Sequence, residues 1–239
     1  MTQKNAIITG ASRGIGLAIA KYLAGEGYNL DLIARDPDRL EAAKKAISDE
    51  YSNIQINAHS LDLVNAQESY NLVSSICKDR GHIDVVINNA GVLITGCSEV
   101  DIDAFKKIFD VNVHSVFAIA KAAAEQMKKQ NDGHIINLAS KAGKRGLAKL
   151  GAYCATKFAV VGLSESLYNE LLPYNVKVTA ICPSAIDTEM TRDFGMANSD
   201  KISTHDIVNT VAYLLSLSPS AVMSSIDVDC KAIVIGGLP

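Results

Sequence analysis

Short runs of aliphatic and β-branched residues alternate along this chain with longer stretches in which apolar positions return every three or four residues. The short runs are Ala6 to Thr9, Leu30 to Ala34, Ile54 to Ala58, Val85 to Ile87, His134 to Leu138, Val176 to Ile181 and Ile226 to Ile235. They read as strands, and the stretches Ile15 to Gly25, Pro37 to Asp49, Ala66 to Lys78, Ala104 to Lys129, Tyr153 to Leu172 and His205 to Ser216 read as helices. A run such as Val178-Thr179-Ala180-Ile181-Cys182 suits a strand buried on both faces, which means a parallel sheet with helices on each side. The alternation is not interrupted by a linker, repeat or low-complexity segment. The expectation is an α/β fold in a single domain over residues 1–239.

Two stretches lack a clear period, Lys141 to Leu150 and Pro183 to Ser203. Each follows a strand, so each should emerge at the carboxyl edge of the sheet, where open α/β folds bind ligands.

Composition narrows the field of functions. A chain of 239 residues with 48% apolar content can bury a sizeable core. A net charge of -3 with no dense basic block argues against nucleic acid. Cys77, Cys97, Cys154, Cys182 and Cys230 form no CxxC pair and no cluster with His59, His82, His114, His134 or His205, so reduced thiols and no metal are expected. Cys154 and His114 read as packing residues. Met1 to Asn5 lead straight into Ala6-Ile7-Ile8, which leaves no room for a secretory leader, and no apolar stretch has membrane-spanning length. A cytoplasmic location without membrane association is expected.

Candidate chemistry begins at the first turn. Thr9-Gly10-Ala11-Ser12-Arg13-Gly14-Ile15-Gly16 closes a strand and opens a helix, and free N–H groups at such a helix start suit phosphate oxygens. Its Gly-x-x-x-Gly-x-Gly spacing differs from the usual dinucleotide fingerprint, but its position fits a dinucleotide. The end of the second strand reads Ala34-Arg35-Asp36-Pro37-Asp38-Arg39-Leu40. Pro37 suits a first helical position, which makes Asp36 the N-cap and engages its carboxylate. Arg35, with Arg13 in the first turn, then favours the 2′-phosphate of NADP(H) over NAD(H).

The segments Thr9 to Gly16, Asn88-Asn89-Ala90-Gly91, Val111-Asn112-Val113, Asn137-Leu138-Ala139-Ser140, Tyr153-Cys154-Ala155-Thr156-Lys157 and Cys182 to Met190 come in the order and rough spacing of one family. Through them the chain resembles the short-chain dehydrogenases/reductases, over nearly its whole length. The resemblance implies a single-domain Rossmann fold, a doubly wound seven-stranded parallel sheet with helices on both faces. It implies a nicotinamide-dependent carbonyl/alcohol oxidoreductase in a homo-tetramer or homo-dimer, with Ala104 to Lys129 and Tyr153 to Leu172 packed between subunits. The catalytic residues it implies are Asn112, Ser140, Tyr153 and Lys157. The cofactor contacts it implies are Gly10, Ser12, Arg13, Gly14, Ile15, Arg35, Asp62, Asn89, Lys157, Ile186 and Thr188, with Asp62 at the adenine and Thr188 at the nicotinamide carboxamide.

Tyr153 and Lys157 are four apart on a helix and share a face. The ammonium is therefore expected to lower the phenol's pKa, so that Tyr153 exchanges a proton with the carbonyl oxygen while Ser140 orients that oxygen. Asn112 is expected to hold a water that relays protons through Lys157.

Two places depart from the family pattern: Pro183-Ser184 replaces Pro-Gly, and Ser224 to Pro239 lacks the glycine-rich ending of the last strand. The substrate is expected to be a small carbonyl compound or an acyl thioester. The chain also resembles bacterial 3-oxoacyl-[acyl-carrier-protein] reductases, and Lys141, Lys144, Arg145 and Lys149 could meet an acidic carrier, although Leu172-Pro173-Tyr174-Asn175 offers no basic docking residue. The polar segment between Ile186 and His205 predicts an open site. A dinucleotide sensor without turnover is the alternative from another class, and it leaves the serine, tyrosine and lysine unexplained.

Overall fold

The computed structural model describes residues 3–236. Seven parallel strands run β1 (Asn5–Thr9), β2 (Asn29–Ala34), β3 (Ile56–Ser60), β4 (Val85–Asn88), β5 (Gly133–Leu138), β6 (Val176–Pro183) and β7 (Ser225–Val228). They lie in the order β3-β2-β1-β4-β5-β6-β7, the doubly wound arrangement, with the order reversing beside β1. The principal helices are α1 (Gly14–Gly25), α2 (Pro37–Glu50), α3 (Ala66–Arg80), α4 (Ile102–Phe109), α5 (Ser115–Gln130), α6 (Gly151–Leu171), α7 (Thr204–Ser216) and α8 (Lys231–Gly236). No described helix is long and apolar enough to cross a membrane.

The apolar strands make two cores because successive side chains point to opposite faces. Ala6 and Ile8 join Leu30, Leu32, Ile87 and Ile136 under α1 and α7, whereas Ile7 joins Ile33, Val86, Ile135 and Val178 under α3 and α5. Asp31 is the charged exception on β2, only 1% exposed and bound by Arg80, His59 and Asn57. Asp36 caps α2 as expected, accepting from the Arg39 N–H at 3.1 Å.

The sequence reading needs four corrections here. The third strand is shifted to Ile56–Ser60, the residues in register with Leu30 to Ala34 of β2. The last strand ends at Val228, because β6 ends at the paired Pro183 and offers no further partner. Residues 231 to 236 instead form α8, which buries Ile233 and leaves Val234 and Ile235 65% and 76% exposed. The long helix expected from Ala104 to Lys129 is two helices, α4 and α5, joined by a π turn at Asp110–His114. That turn also moves His114, expected in the core, to the surface, where it pairs with Asp110 at 2.9 Å.

Candidate functional site

The strands β1 to β6 all end on one cleft of about 540 Å³. Its walls come from the loop after each of these strands, as the parallel topology requires. Gly10 follows β1, Arg35 follows β2, Asp62 follows β3, Asn89 follows β4, Ser140 follows β5, and Ser184 to Thr191 follow β6. The carboxyl-edge stretches picked from the sequence are therefore walls of this cleft.

At one end lies the glycine turn. Gly10 has φ +66°, a left-handed conformation that favours glycine, and a Cβ on Gly16 would stand 2.3 Å from the Gly10 carbonyl oxygen. Asn89 fastens β4 to this turn, its Nδ2 donating to the carbonyls of Thr9 at 2.9 Å and Gly10 at 3.3 Å. Its amide is thereby committed to shaping the turn. Ser12, Arg13, Gly14 and Ile15 line the cleft beside it, with Ile186 and Thr188 on the opposite wall. Asp62 is exposed, with Oδ1 accepting from the Val64 N–H at 3.3 Å.

Three guanidinium groups, from Arg13, Arg35 and Arg39, belong to the lining at this end. Arg39 went unnoticed in the sequence, although the Asp36-Pro37 cap fixes it on the first turn of α2 and could have revealed it. The glycine turn and the three cations are a donor set that fits a pyrophosphate and a further phosphate.

At the other end Ser140, Tyr153 and Lys157 meet. Ser140 caps a short 3₁₀ turn: its Oγ accepts from the Ala142 N–H at 3.1 Å and donates to the Pro183 carbonyl at 3.4 Å. Lys157 is 5% exposed and donates from Nζ to the Leu138 carbonyl at 2.8 Å. Its Nζ stands 5.6 Å from the centroid of the Tyr153 ring. The pKa expectation for Tyr153 is corrected by this arrangement. Burial pushes the phenol up to about 12, against a smaller opposing pull from the Ser140 hydroxyl. Burial also pushes the Lys157 ammonium down to about 8. Removal from water disfavours both charged forms, and the lysine's hydrogen bond goes to a backbone carbonyl.

Asn112 sits inside the π turn, 1% exposed. Its Oδ1 accepts from the Val92 N–H at 2.8 Å, and its Nδ2 donates to the Val92 carbonyl at 2.9 Å and to Thr156 Oγ1 at 3.2 Å. Both amide N–H groups are therefore engaged, and Oδ1 has accepted one hydrogen bond.

The remaining cations of the Ser140 loop are mostly accounted for. Lys141 Nζ reaches Asp227 at 2.9 Å and Asp229 at 3.2 Å, and Lys144 donates to Ser225 at 3.2 Å. Arg145 lines the cleft. The segment after Ile186 is less polar towards the site than its composition suggests: Met190 and Phe194 join the lining, while Lys201 turns away and donates to the Thr191 carbonyl at 2.8 Å. Cys154 is buried, and all five cysteines are free thiols. At the amino edge of the sheet, His82, Asp84 and Asp132 bring possible ligand atoms within 4.8 Å of one another, a grouping that the sequence reading did not anticipate.

The family profile described as short chain dehydrogenase matches residues 4–198. Among solved structures, a β-ketoacyl-[ACP] reductase from Bacteroides thetaiotaomicron is 35% identical with a TM-score of 0.86, covering 98% of this chain and 100% of that one. A metagenomic short-chain oxidoreductase in complex with NADP is 30% identical with a TM-score of 0.83, covering 95% and 97%. An NAD+-bound xylitol dehydrogenase is 27% identical with a TM-score of 0.84, covering 95% and 96%.

Proposed function

Because this chain belongs to the short-chain dehydrogenase family, we propose that it interconverts a carbonyl and an alcohol with NADP(H), using Ser140, Tyr153 and Lys157. The observation that carries this reading is the convergence of those three side chains on the same cleft as the glycine turn. A nicotinamide bound in this cleft would supply or accept the hydride. Gly10, Ser12, Gly14 and Ile15 hold the pyrophosphate, Arg13 and Arg35 the 2′-phosphate, and Asp62 and Asn89 the adenosine side. Thr188 holds the nicotinamide carboxamide, Ile186 contacts the cofactor, and Lys157 holds the nicotinamide ribose.

In the reductive direction Tyr153 donates its phenolic proton to the carbonyl oxygen. A phenol pushed up to about 12 is fully protonated near neutral pH, which suits a donor. Ser140, fixed between Ala142 and Pro183, hydrogen-bonds the same oxygen and orients it. Lys157 holds a positive charge beneath the site and returns a proton to Tyr153. Asn112 fixes the Val92 backbone and, through its own backbone, the water that feeds this relay.

The Bacteroides neighbour favours a second, narrower reading, a 3-oxoacyl-[acyl-carrier-protein] reductase. Against it, α6 runs out into Leu172-Pro173-Tyr174-Asn175, which has no cation for an acidic carrier. The reading also includes a homo-oligomer, supported by Phe105, Phe117 and Phe158, which α4, α5 and α6 leave 41%, 51% and 46% exposed.

The test is a titration with NADPH and then NADH, followed by turnover of ketones, aldehydes and an acetoacetyl thioester. Binding of NADPH with oxidation by a panel member, lost in Tyr153→Phe with nucleotide affinity retained, is the expected result. Full kcat in Tyr153→Phe would overturn the proton-donor assignment, and thioester-only turnover would select the narrower reading.

A further inference from the structure

Glu189 opens the 3₁₀ turn that follows Thr188, on the wall opposite the glycine turn. Its carboxylate reaches across and accepts a hydrogen bond from Arg13 Nη1. The same oxygen, Oε2, lies 3.5 Å from Arg39 Nη1 on the first turn of α2. Arg35 also lines the cleft. The Arg13 guanidinium, with Arg39 adding to it, holds the Glu189 carboxyl below the usual carboxylate range, so it is ionised at neutral pH. One carboxylate of the chain thus already occupies two of the three cations that face the nucleotide end.

An incoming phosphate and Glu189 need the same N–H donors. A guanidinium can serve two anions, but two anions on one guanidinium repel each other, and the weaker hold is loosened. Ribose hydroxyls carry no such charge and do not compete. We propose that Glu189 is an internal rival of the 2′-phosphate for Arg13 and Arg39. Arg39 is then a third member of the 2′-phosphate cradle, and Glu189 sets how strongly the chain distinguishes NADP(H) from NAD(H). The pairing also ties the segment after β6 to the first turn and to α2, so phosphate binding releases that segment from the nucleotide end. This rests on the NADP(H) reading above.

All three side chains are about half exposed, so the contest is one between surface charges. Calorimetric titration of Glu189→Gln should show NADPH bound about three- to fivefold tighter than in the wild type, the scale of an exposed ion pair, with NADH affinity unchanged. Arg39→Met should weaken NADPH and spare NADH. In an Arg13→Met/Arg39→Met background the gain from Glu189→Gln should vanish, because the rival has nothing left to occupy.

Unchanged or weaker NADPH binding by Glu189→Gln overturns the proposal. So does a weakening of NADH, which would make Glu189 an acceptor for ribose hydroxyls. A wild-type protein that binds neither nucleotide overturns the dinucleotide reading and this proposal with it. A wild type that binds NADPH, with no gain in Glu189→Gln, overturns this proposal alone.

Discussion

Lys157 Nζ donates to the carbonyl oxygen of Leu138 at 2.8 Å, which anchors this buried cation to the last residue of the strand that precedes Ser140. Its depth pushes its pKa down to about 8. The charge is therefore present below that pH and lost as pH rises through it. With saturating NADPH and any carbonyl compound the protein turns over, kcat for reduction should fall above about pH 8, as one proton leaves. Lys157→Arg should lower kcat and remove that fall, because a guanidinium keeps its charge. A wild-type profile flat to about pH 10 would contradict the role given to this lysine.

Asn112 and Val92 exchange two hydrogen bonds, and this pairing holds the π turn against the loop after β4. Asn112→Ala would leave the Val92 N–H and carbonyl without those partners and would open a gap beside Thr156. The expected loss is about 2–3 kcal/mol of unfolding free energy, measured in urea. Asn112→Asp keeps the acceptor but sets a buried carboxyl oxygen against the Val92 carbonyl in place of the N–H, so it should cost at least as much as alanine. Equal stability of wild type and Asn112→Ala would show that water replaces the amide without penalty.

The same pairing explains where the sequence was legible and where it was not. Strands buried on both faces announce themselves as continuous apolar runs, and six of the seven segments land within about two residues of the observed ones. The π turn is invisible because its cause lies twenty residues away at Val92, while the apolar spacing of α4 and α5 continues through it. His114 lies inside that turn and is exposed, paired with Asp110. The apolar run in α8 is ambiguous between strand and short helix, and only the end of β6 at Pro183 decides it. The motifs placed the candidate site residues along the chain. The spacing of Tyr153 and Lys157 gave a shared face but not the direction of Nζ or the desolvation that governs both groups.

Asp31 is a second buried charge, away from the cleft. Burial alone would raise its pKa, but hydrogen bonds from His59 at 2.8 Å, Arg80 at 2.7 Å and Asn57 at 3.0 Å outweigh it and hold the carboxyl low. These contacts tie β2 to β3 and to the end of α3. Arg80→Met leaves a carboxylate that is 1% exposed with only His59 and Asn57 as partners and should destabilise the fold by about 3 kcal/mol. In an Asp31→Asn background the same change should cost much less, since no charge is left to compensate. Additive losses in the double variant would refute a direct coupling.

His134 gives the acid side of the stability curve. It lies on β5, 6% exposed, with Nε2 2.9 Å from Thr179 Oγ1 on β6. Burial, with the nearby Lys177 charge adding to it, pushes its pKa from 6.5 down to about 3. Between those values the unfolded chain takes up a proton that the native protein refuses, so stability is lost as pH falls through 6.5. From about pH 7.5 to about pH 5.5 this one group should remove about 1.4 kcal/mol, and each further unit about the same again. His134→Gln keeps a hydrogen-bonding group beside Thr179 and does not titrate. Urea unfolding at both pH values should show a pH dependence smaller by that amount in the variant, and the same dependence in both proteins would mean that His134 protonates in the native state without difficulty.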